Sequence, residues 1–97
     1  MLTLPIKGKW YDMILSGEKT EEYRDIKPYY TTRLRNIWGY PAYWGERHRV
    51  CFRNGYSKQA RSFLAECTIS IGYGDPAWGA APGKKYYILH IRRIIVC

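Results

Sequence analysis

The chain has 97 residues, of which 46% are hydrophobic, 16% are aromatic and 25% are charged, and its formal net charge at pH 7 is +8. This length allows one hydrophobic core, so we predict a single domain spanning residues 1–97. No apolar run approaches the roughly 20 residues of a membrane span, and the first residues lack the apolar segment of a signal peptide. We therefore expect a cytoplasmic protein that does not associate with a membrane.

A strand and a helix are predicted at the start of the chain. The apolar residues of Leu2–Ile6 favour a short strand. Apolar residues then recur at spacings of three and four, which is typical of one helical face and predicts a helix over residues 9–16. Gly17 follows, and glycine readily takes the positive φ found at helix ends. The predicted apolar face of this helix consists of Trp10, Met13 and Ile14.

A second strand and a second helix are predicted next. The segment TEEYRD, residues 20–25, is predicted to be a strand, and its period of two places Thr20, Glu22 and Arg24 on one side. Pro28 suits the first turn of a helix. The buried stripe of that helix is predicted to consist of Tyr30, Leu34 and Ile37.

The rest of the sequence predicts three strands. WGYPAYWGER, residues 38–47, is rich in glycine, proline and aromatic residues and predicts a loop. Strands are predicted for HRVCFRN before the turn at Asn54 and Gly55, for the alternating segment SFLAECTISIGY, and for residues 86–97. In the last of these, Arg92 and Arg93 break the alternation and predict a bulge or an edge. We therefore predict an α+β fold: a small, mostly antiparallel, partly closed β-barrel of about five strands with two short helices.

Neither a metal site nor a cofactor is predicted. The three cysteines, Cys51, Cys67 and Cys97, show no CxxC spacing, and the first two lie in apolar strand patterns where a free thiol acts as a small hydrophobe. His48 and His90 lie far apart in the sequence, without the spacing of metal ligands. We therefore expect no metal and no cofactor.

The positive charge lies after residue 25. Residues 1–25 carry four basic and five acidic side chains, a net charge of −1, whereas residues 26–97 carry twelve basic and three acidic side chains, a net charge of +9. Such a field attracts polyanions, above all nucleic acid. The alternative is a basic protein that binds no specific polyanion.

The segment LPIKGKWYDMILSGEKTEEYR contains a spaced motif, G-x-K-x-x-E-x-R, formed by Gly17, Lys19, Glu22 and Arg24. With the helix before it and the strand after it, the motif resembles the opening of the ASCH domains, a branch of the PUA-like superfamily. The resemblance is tight over residues 4–25 and continues more loosely to the last strand. It implies a PUA-like barrel over the whole chain, with a cleft between the first helix and the barrel that receives RNA or a modified nucleotide.

Lys19, Glu22 and Arg24 are the central candidates for ligand binding. Glu22 and Arg24 project from one face of the strand, and the planar guanidinium suits phosphate or a nucleobase edge. A lysine removed from water has a lowered pKa and can act as a base. We expect from the sequence that Lys19→Ala weakens ligand binding and leaves the melting temperature nearly unchanged. The alternative is that Glu22 and Arg24 form a structural ion pair.

Aromatic and basic residues also lie close together between residues 38 and 58. Single-stranded nucleic acid is held by stacking bases on aromatic rings while cations contact the phosphates. The aromatic side chains of this stretch either stack bases or pack inside the mouth of the barrel. The further candidate ligand-binding residues are Lys7, Trp10, Tyr43, Trp44 and Arg53.

We expect a nucleic-acid-binding module whose partner is RNA, a nucleotide or a nucleoside. The resemblance also implies a hydrolase as the alternative, either an amidohydrolase acting on acylated cytidine or a ribonuclease, using Lys19 with Glu22 or Thr20. The resemblance implies that the amidohydrolases use a lysine and a threonine of the motif together with a distant glutamate. This sequence departs from that pattern, because Glu22 stands where those enzymes have the threonine. The distant glutamate also has no clear counterpart, since the only glutamates after Asp25 are Glu46 and Glu66. A third possibility is a protein-interaction module with an acidic partner.

Overall fold

Five strands form one curled sheet that closes only partly into a barrel. The computed structural model describes residues 1–95, so the last two residues of the final predicted strand, including Cys97, lie outside the described part. The strands are β1 (Leu2–Ile6), β2 (Glu21–Arg24), β3 (His48–Asn54), β4 (Ser62–Tyr73) and β5 (Lys85–Ile95). Their order across the sheet is β1-β3-β4-β5-β2. β1 pairs with β3 in parallel and the other three pairs are antiparallel, so the predicted fold class is confirmed.

Two helices flank β2 in the chain, α1 (Gly8–Leu15) and α2 (Pro28–Trp38). After α1, Gly17 takes a φ of 86°, and the backbone N–H of Lys19 donates to the carbonyl of Met13 at 2.9 Å. This bond turns the chain towards β2. Pro28 occupies the first turn of α2, as predicted, because that turn needs no N–H from it.

The inner face of α1 differs from the prediction. Tyr11 and Ile14 are its buried side chains, and the Tyr11 ring packs against Phe63 of β4 with the ring centroids 5.0 Å apart. Trp10 and Met13, which the spacing also predicted to be inside, are only half-buried. The Tyr11 ring fills the inner position, and the half-buried Trp10 ring lies at the border between the core-facing and exposed sides of the helix.

α2 contributes a buried tryptophan that the sequence assigned to the following loop. Leu34 and Trp38 are buried, and Tyr30 and Ile37 pack against the same core. The indole N–H of Trp38 donates to the carbonyl of Glu46 at 2.8 Å, which satisfies its polar atom inside the protein. The predicted stripe is therefore correct, but the helix includes residue 38.

The long pairing of β4 with β5 contains one bulge. Cys67 pairs with Ile91 and Glu66 pairs with Arg93, so Arg92 is an extra residue on β5. The predicted bulge is confirmed. At the other sides of the sheet, β1 and β2 are the two edge strands. We call the gap between these edges the seam.

Candidate functional site

Three charged side chains of the motif form one ion network beside the seam. Glu22 accepts hydrogen bonds from Lys19 Nζ at 3.1 Å and from Arg24 Nη2 at 2.8 Å, one on each carboxylate oxygen. The side chains of Lys19, Glu22 and Arg24 are 0%, 9% and 12% exposed. Charges removed from water to this degree must be paired. The ion pair considered from the sequence therefore exists, and Lys19 extends it to three members.

Lys19 has no spare hydrogen-bond donor. Besides Glu22, its ammonium group donates to the carbonyl oxygens of Glu21 and Trp78, the latter at 3.1 Å. An ammonium group has three N–H donors, and three acceptors surround it here. Trp78 follows Lys19 by 59 residues and belongs to a 3₁₀ turn, Pro76–Trp78, in the connection between β4 and β5. Lys19 therefore joins the beginning of β2 to that connection.

Two aromatic rings complete the surroundings of Lys19. Its Nζ lies 5.3 Å from the centroid of Trp10 and 4.9 Å from that of Tyr23. Burial lowers the pKa of Lys19, and the charge of Glu22 opposes this shift. Removing Lys19 would leave a buried carboxylate without one of its partners, so we now expect Lys19→Ala to lower the stability of the fold as well.

Arg24 links the two edges of the sheet across the seam. Its Nη2 also donates to the carbonyl of Pro5 in β1 at 3.0 Å, and its Nη1 donates to the hydroxyl of Tyr30 in α2 at 3.2 Å. β1 and β2 stand at opposite ends of the strand order, so this side chain acts where ladder hydrogen bonds are missing. Its buried Nε has no hydrogen-bond partner within residues 1–95, so this N–H of the guanidinium is unused.

A cleft of about 430 Å³ opens at this network, between the beginning of α1, the end of β1 and the turn that joins β3 to β4. We call it the α1 cleft. Four of the residues singled out from the sequence line it together, namely Lys7, Trp10, Glu22 and Arg24. The remaining lining residues are Pro5, Ile6, Gly55 and Tyr56.

Tyr56 is the side chain of the α1 cleft that sequence reasoning missed. It is 88% exposed and follows Gly55, which has a φ of 90°. The N–H of Gly55 donates to the carbonyl of Ile6 at 2.9 Å and holds the turn against the end of β1. The Asn54-Gly55 pair predicts the turn, but the parallel pairing of β1 with β3 that brings it to α1 has no local signal in the sequence.

Four other candidates for ligand binding, Lys19, Tyr43, Trp44 and Arg53, do not line the α1 cleft. Trp44 packs against the core, and its indole N–H donates to the carbonyl of Gly39 at 3.3 Å. Tyr43 is exposed in the loop after α2, and Arg53 is half-buried on β3, opposite Pro5 of β1. In this loop, Trp44 is therefore held by packing against the core, whereas Tyr43 is exposed to solvent.

The residues proposed for hydrolysis are only partly assembled. Lys19 and Glu22 are in contact. To act as a base, however, Lys19 would first have to lose a proton, and its neutral amine could then keep only two of the three present hydrogen-bond acceptors. Thr20 is exposed, and its backbone carbonyl accepts a hydrogen bond from the N–H of Ile91 at 2.9 Å. The geometry gives Thr20 no contact with the α1 cleft.

A separate polar cluster, which the sequence did not reveal, lies across β2, β4 and β5. Ser70 Oγ is 2.7 Å from His90 Nε2, His90 Nδ1 is 3.6 Å from Glu21 Oε2, and the Tyr23 hydroxyl donates to Glu21 Oε1 at 2.7 Å. The order serine, histidine, carboxylate is that of a hydrolytic triad. However, 3.6 Å is too long for a hydrogen bond, and none of these residues lines the α1 cleft. The cluster ties three strands together.

Within residues 1–95, no group of three or more histidine, cysteine, aspartate or glutamate side chains is placed to hold a metal ion. Neither helix of this part of the chain has the length and apolar character needed to cross a bilayer. Comparison of the chain with protein-family models, curated proteins and solved structures finds no significant match. The resemblance to ASCH domains therefore rests on the motif and its surroundings.

Proposed function

We propose that this protein is a nucleic-acid-binding module, a single ASCH-like domain over residues 1–97, that holds RNA or a nucleotide in the α1 cleft. The observation that carries the proposal is the convergence of Lys7, Trp10 and Arg24 on one concavity. An aromatic ring, a flexible cation and a planar guanidinium are the groups that bind a base, a phosphate and a base edge. Cytoplasmic localisation remains part of this proposal.

The ion network beneath the α1 cleft makes the cleft suitable for recognising a base. Each oxygen of Glu22 accepts one hydrogen bond from the network and keeps a lone pair, which can accept from a base amino group. The Trp10 ring is supported on the protein side, where Lys19 lies over it and a Cβ at Gly79 would come within 3.1 Å of it. A ring held in this way is pre-organised for stacking.

Binding of a fluorescein-labelled single-stranded RNA, measured by fluorescence anisotropy at about 50 and 200 mM salt, tests the proposal. We expect Lys7→Ala and Trp10→Leu to weaken binding, and Lys7→Ala alone to reduce the slope of log K against log salt by about 0.7. Lys85→Ala is the matched control, because Lys85 is an exposed lysine on β5 outside the cleft. Equal affinities of the wild type, Lys7→Ala and Trp10→Leu would refute the assignment of this cleft.

Hydrolase activity and binding of an acidic protein remain predictions from the sequence. Catalysis by Lys19 would require the rearrangement described above, and no observation favours it over binding. Incubation of the protein with N4-acetylcytidine and with single-stranded RNA, followed by chromatography, checks both forms of the hydrolase alternative. We expect both substrates to remain intact.

A further inference from the structure

Three depressions adjoin one another along the seam. The α1 cleft shares Pro5, Arg24 and Tyr56 with a second depression of about 270 Å³ at the beginning of α2. The second shares Thr3 and Arg33 with a third, of about 300 Å³, beside β1. The shared residues place these depressions side by side, and we call the row that they form the seam groove. It is defined by Lys7, Trp10, Arg24, Tyr56, Lys27 and Arg33.

Positive charge dominates the seam groove. Within the described residues, Glu22 is the one acidic side chain that lines it, and its carboxylate is already paired with Lys19 and Arg24. α2 begins at the groove without a side-chain cap, so the N–H groups of its first turn add positive potential. The cations that line the groove are Lys7, Arg24, Lys27 and Arg33.

Aromatic rings accompany these cations beyond the α1 cleft. Tyr29 is 53% exposed and meets Tyr30 edge to face, with the ring centroids 5.0 Å apart. The Arg33 guanidinium lies 3.4 Å from the centroid of Tyr29, and Lys27 Nζ lies 5.5 Å from that of Tyr30. Tyr56 stands between this group and the α1 cleft, because it lines both depressions. Rings and cations in alternation along a groove are the arrangement that binds a single strand.

We propose that the seam groove binds a single-stranded nucleic acid several nucleotides long, with one base in the α1 cleft and the following nucleotides crossing Arg24 towards Lys27 and Arg33. The inference rests on the proposed function and narrows its ligand to a polymer, because a free nucleotide would reach only one end of the groove. A duplex keeps its bases stacked and cannot place them on these rings. We expect the groove to hold about four nucleotides, which is the lower end of the range for small barrels that bind single-stranded nucleic acid.

The test compares ligands of increasing length. Fluorescein-labelled oligouridylates of two, four and eight residues are titrated by anisotropy, and uridine monophosphate competes against the dimer. We expect affinity to rise from dimer to tetramer and then to level off. Arg33→Ala and Lys27→Ala should each weaken octamer binding by roughly three- to tenfold and leave competition by the monophosphate unchanged. Arg35→Ala is the control, because Arg35 is an exposed arginine of α2 outside the seam groove.

The outcomes separate this inference from the proposed function. Competition by the monophosphate without any gain in affinity from dimer to octamer would overturn the groove and leave the α1 cleft standing. Equal losses of octamer affinity in Arg33→Ala and Arg35→Ala would mean that the effect is general electrostatic attraction, and would also overturn the assignment of the seam groove. Failure of every ligand to bind would overturn both proposals. A parallel series of oligothymidylates separates the sources: matching length dependence supports any single strand, and binding of RNA alone supports contacts to the 2′-hydroxyl.

Discussion

Lys19 and Arg33 are both cations held over aromatic rings, yet their environments are opposite. Lys19 has no exposed surface and donates to three oxygen atoms, whereas Arg33 is exposed and, within residues 1–95, its side chain hydrogen-bonds to the backbone carbonyl of Tyr29. Losing a partner is costly for a buried charge and almost without effect for an exposed one. The comparison indicates that motif residues build the frame of the site, while cations outside the motif are free to contact a ligand.

Arg24 stands between these two extremes. Its bonds to Glu22 and Pro5 belong to the frame, because they connect β2 to β1 across the seam. The same side chain lines both the α1 cleft and the second depression, and its Nε has no partner within the described residues.

The largest effect is expected from Lys19→Met, which removes a buried charge from the frame. Glu22 would keep Arg24 and lose Lys19, and the carbonyl oxygens of Glu21 and Trp78 would lose their buried donor. Each buried acceptor left unsatisfied costs about 1–3 kcal/mol. Urea denaturation of the mutant and the wild type measures the difference in the free energy of unfolding. A loss below about 1 kcal/mol would contradict the structural role assigned to Lys19.

The double mutant Lys19→Met, Glu22→Gln is the control for this prediction. It removes both charges and leaves Arg24, whose side chain is 12% exposed, without its carboxylate partner. We expect the loss in the double mutant to differ from the sum of the losses in Lys19→Met and Glu22→Gln by about 0.5–3 kcal/mol, because the two side chains are in contact. Additive losses in the double-mutant cycle would mean that the two side chains do not interact.

A smaller loss is expected from Gly74→Ala, which acts on the connection that covers Lys19. A Cβ at Gly74 would lie 2.5 Å from the Tyr23 ring and 2.6 Å from Ala80 Cβ, so the connection must shift. Overpacking of this kind costs about 1–3 kcal/mol. Thermal denaturation compares it with Gly45→Ala, where no atom lies within 4 Å of the new Cβ. Equal melting temperatures of these two mutants would show that the connection between β4 and β5 accommodates the added methyl group without a loss of stability.

The elements were predictable because their signals are local. Period two in β4, the glycine after α1 and the proline at the start of α2 each act within a few residues, and the structure agrees with them. The exception in α1 shows the limit of periodicity: Trp10 and Tyr11 are adjacent and both aromatic, so spacing cannot tell which one faces the core. That choice depends on Phe63 of β4, which is distant in the sequence.

The site was predictable only in its central motif. Glu22 and Arg24 alternate on one strand, so their shared face follows from the sequence alone. The burial of Lys19 does not, because its cover comes from Trp78, 59 residues later. Lys27, Arg33 and Tyr56 come together only when β1 and β2 face each other across the seam, and no local pattern encodes this tertiary proximity.

A weaker, pH-dependent effect is expected at His90, whose side chain is intermediate in exposure between Lys19 and Arg33. Burial lowers the pKa of His90, Glu21 opposes the shift, and Arg92 adds to it. The unfolded chain therefore binds the proton more readily, and stability should fall as the pH drops below about 6.5. Melting temperatures between pH 7.5 and 5 should fall less in His90→Gln than in the wild type. A parallel fall in both proteins would mean that His90 does not cause the loss.

The smallest effect on stability is expected where the effect on binding is large. Arg33 is exposed on α2, and substitutions at such positions change the free energy of unfolding by less than about 0.5 kcal/mol. Urea denaturation of Arg33→Ala and Arg35→Ala should therefore give values close to the wild type. If Arg33→Ala unfolded as readily as Lys19→Met, its contact with Tyr29 would belong to the frame, and the division between buried frame and exposed contact residues would fail. With stability unchanged, any loss of octamer affinity in Arg33→Ala reports the contact itself.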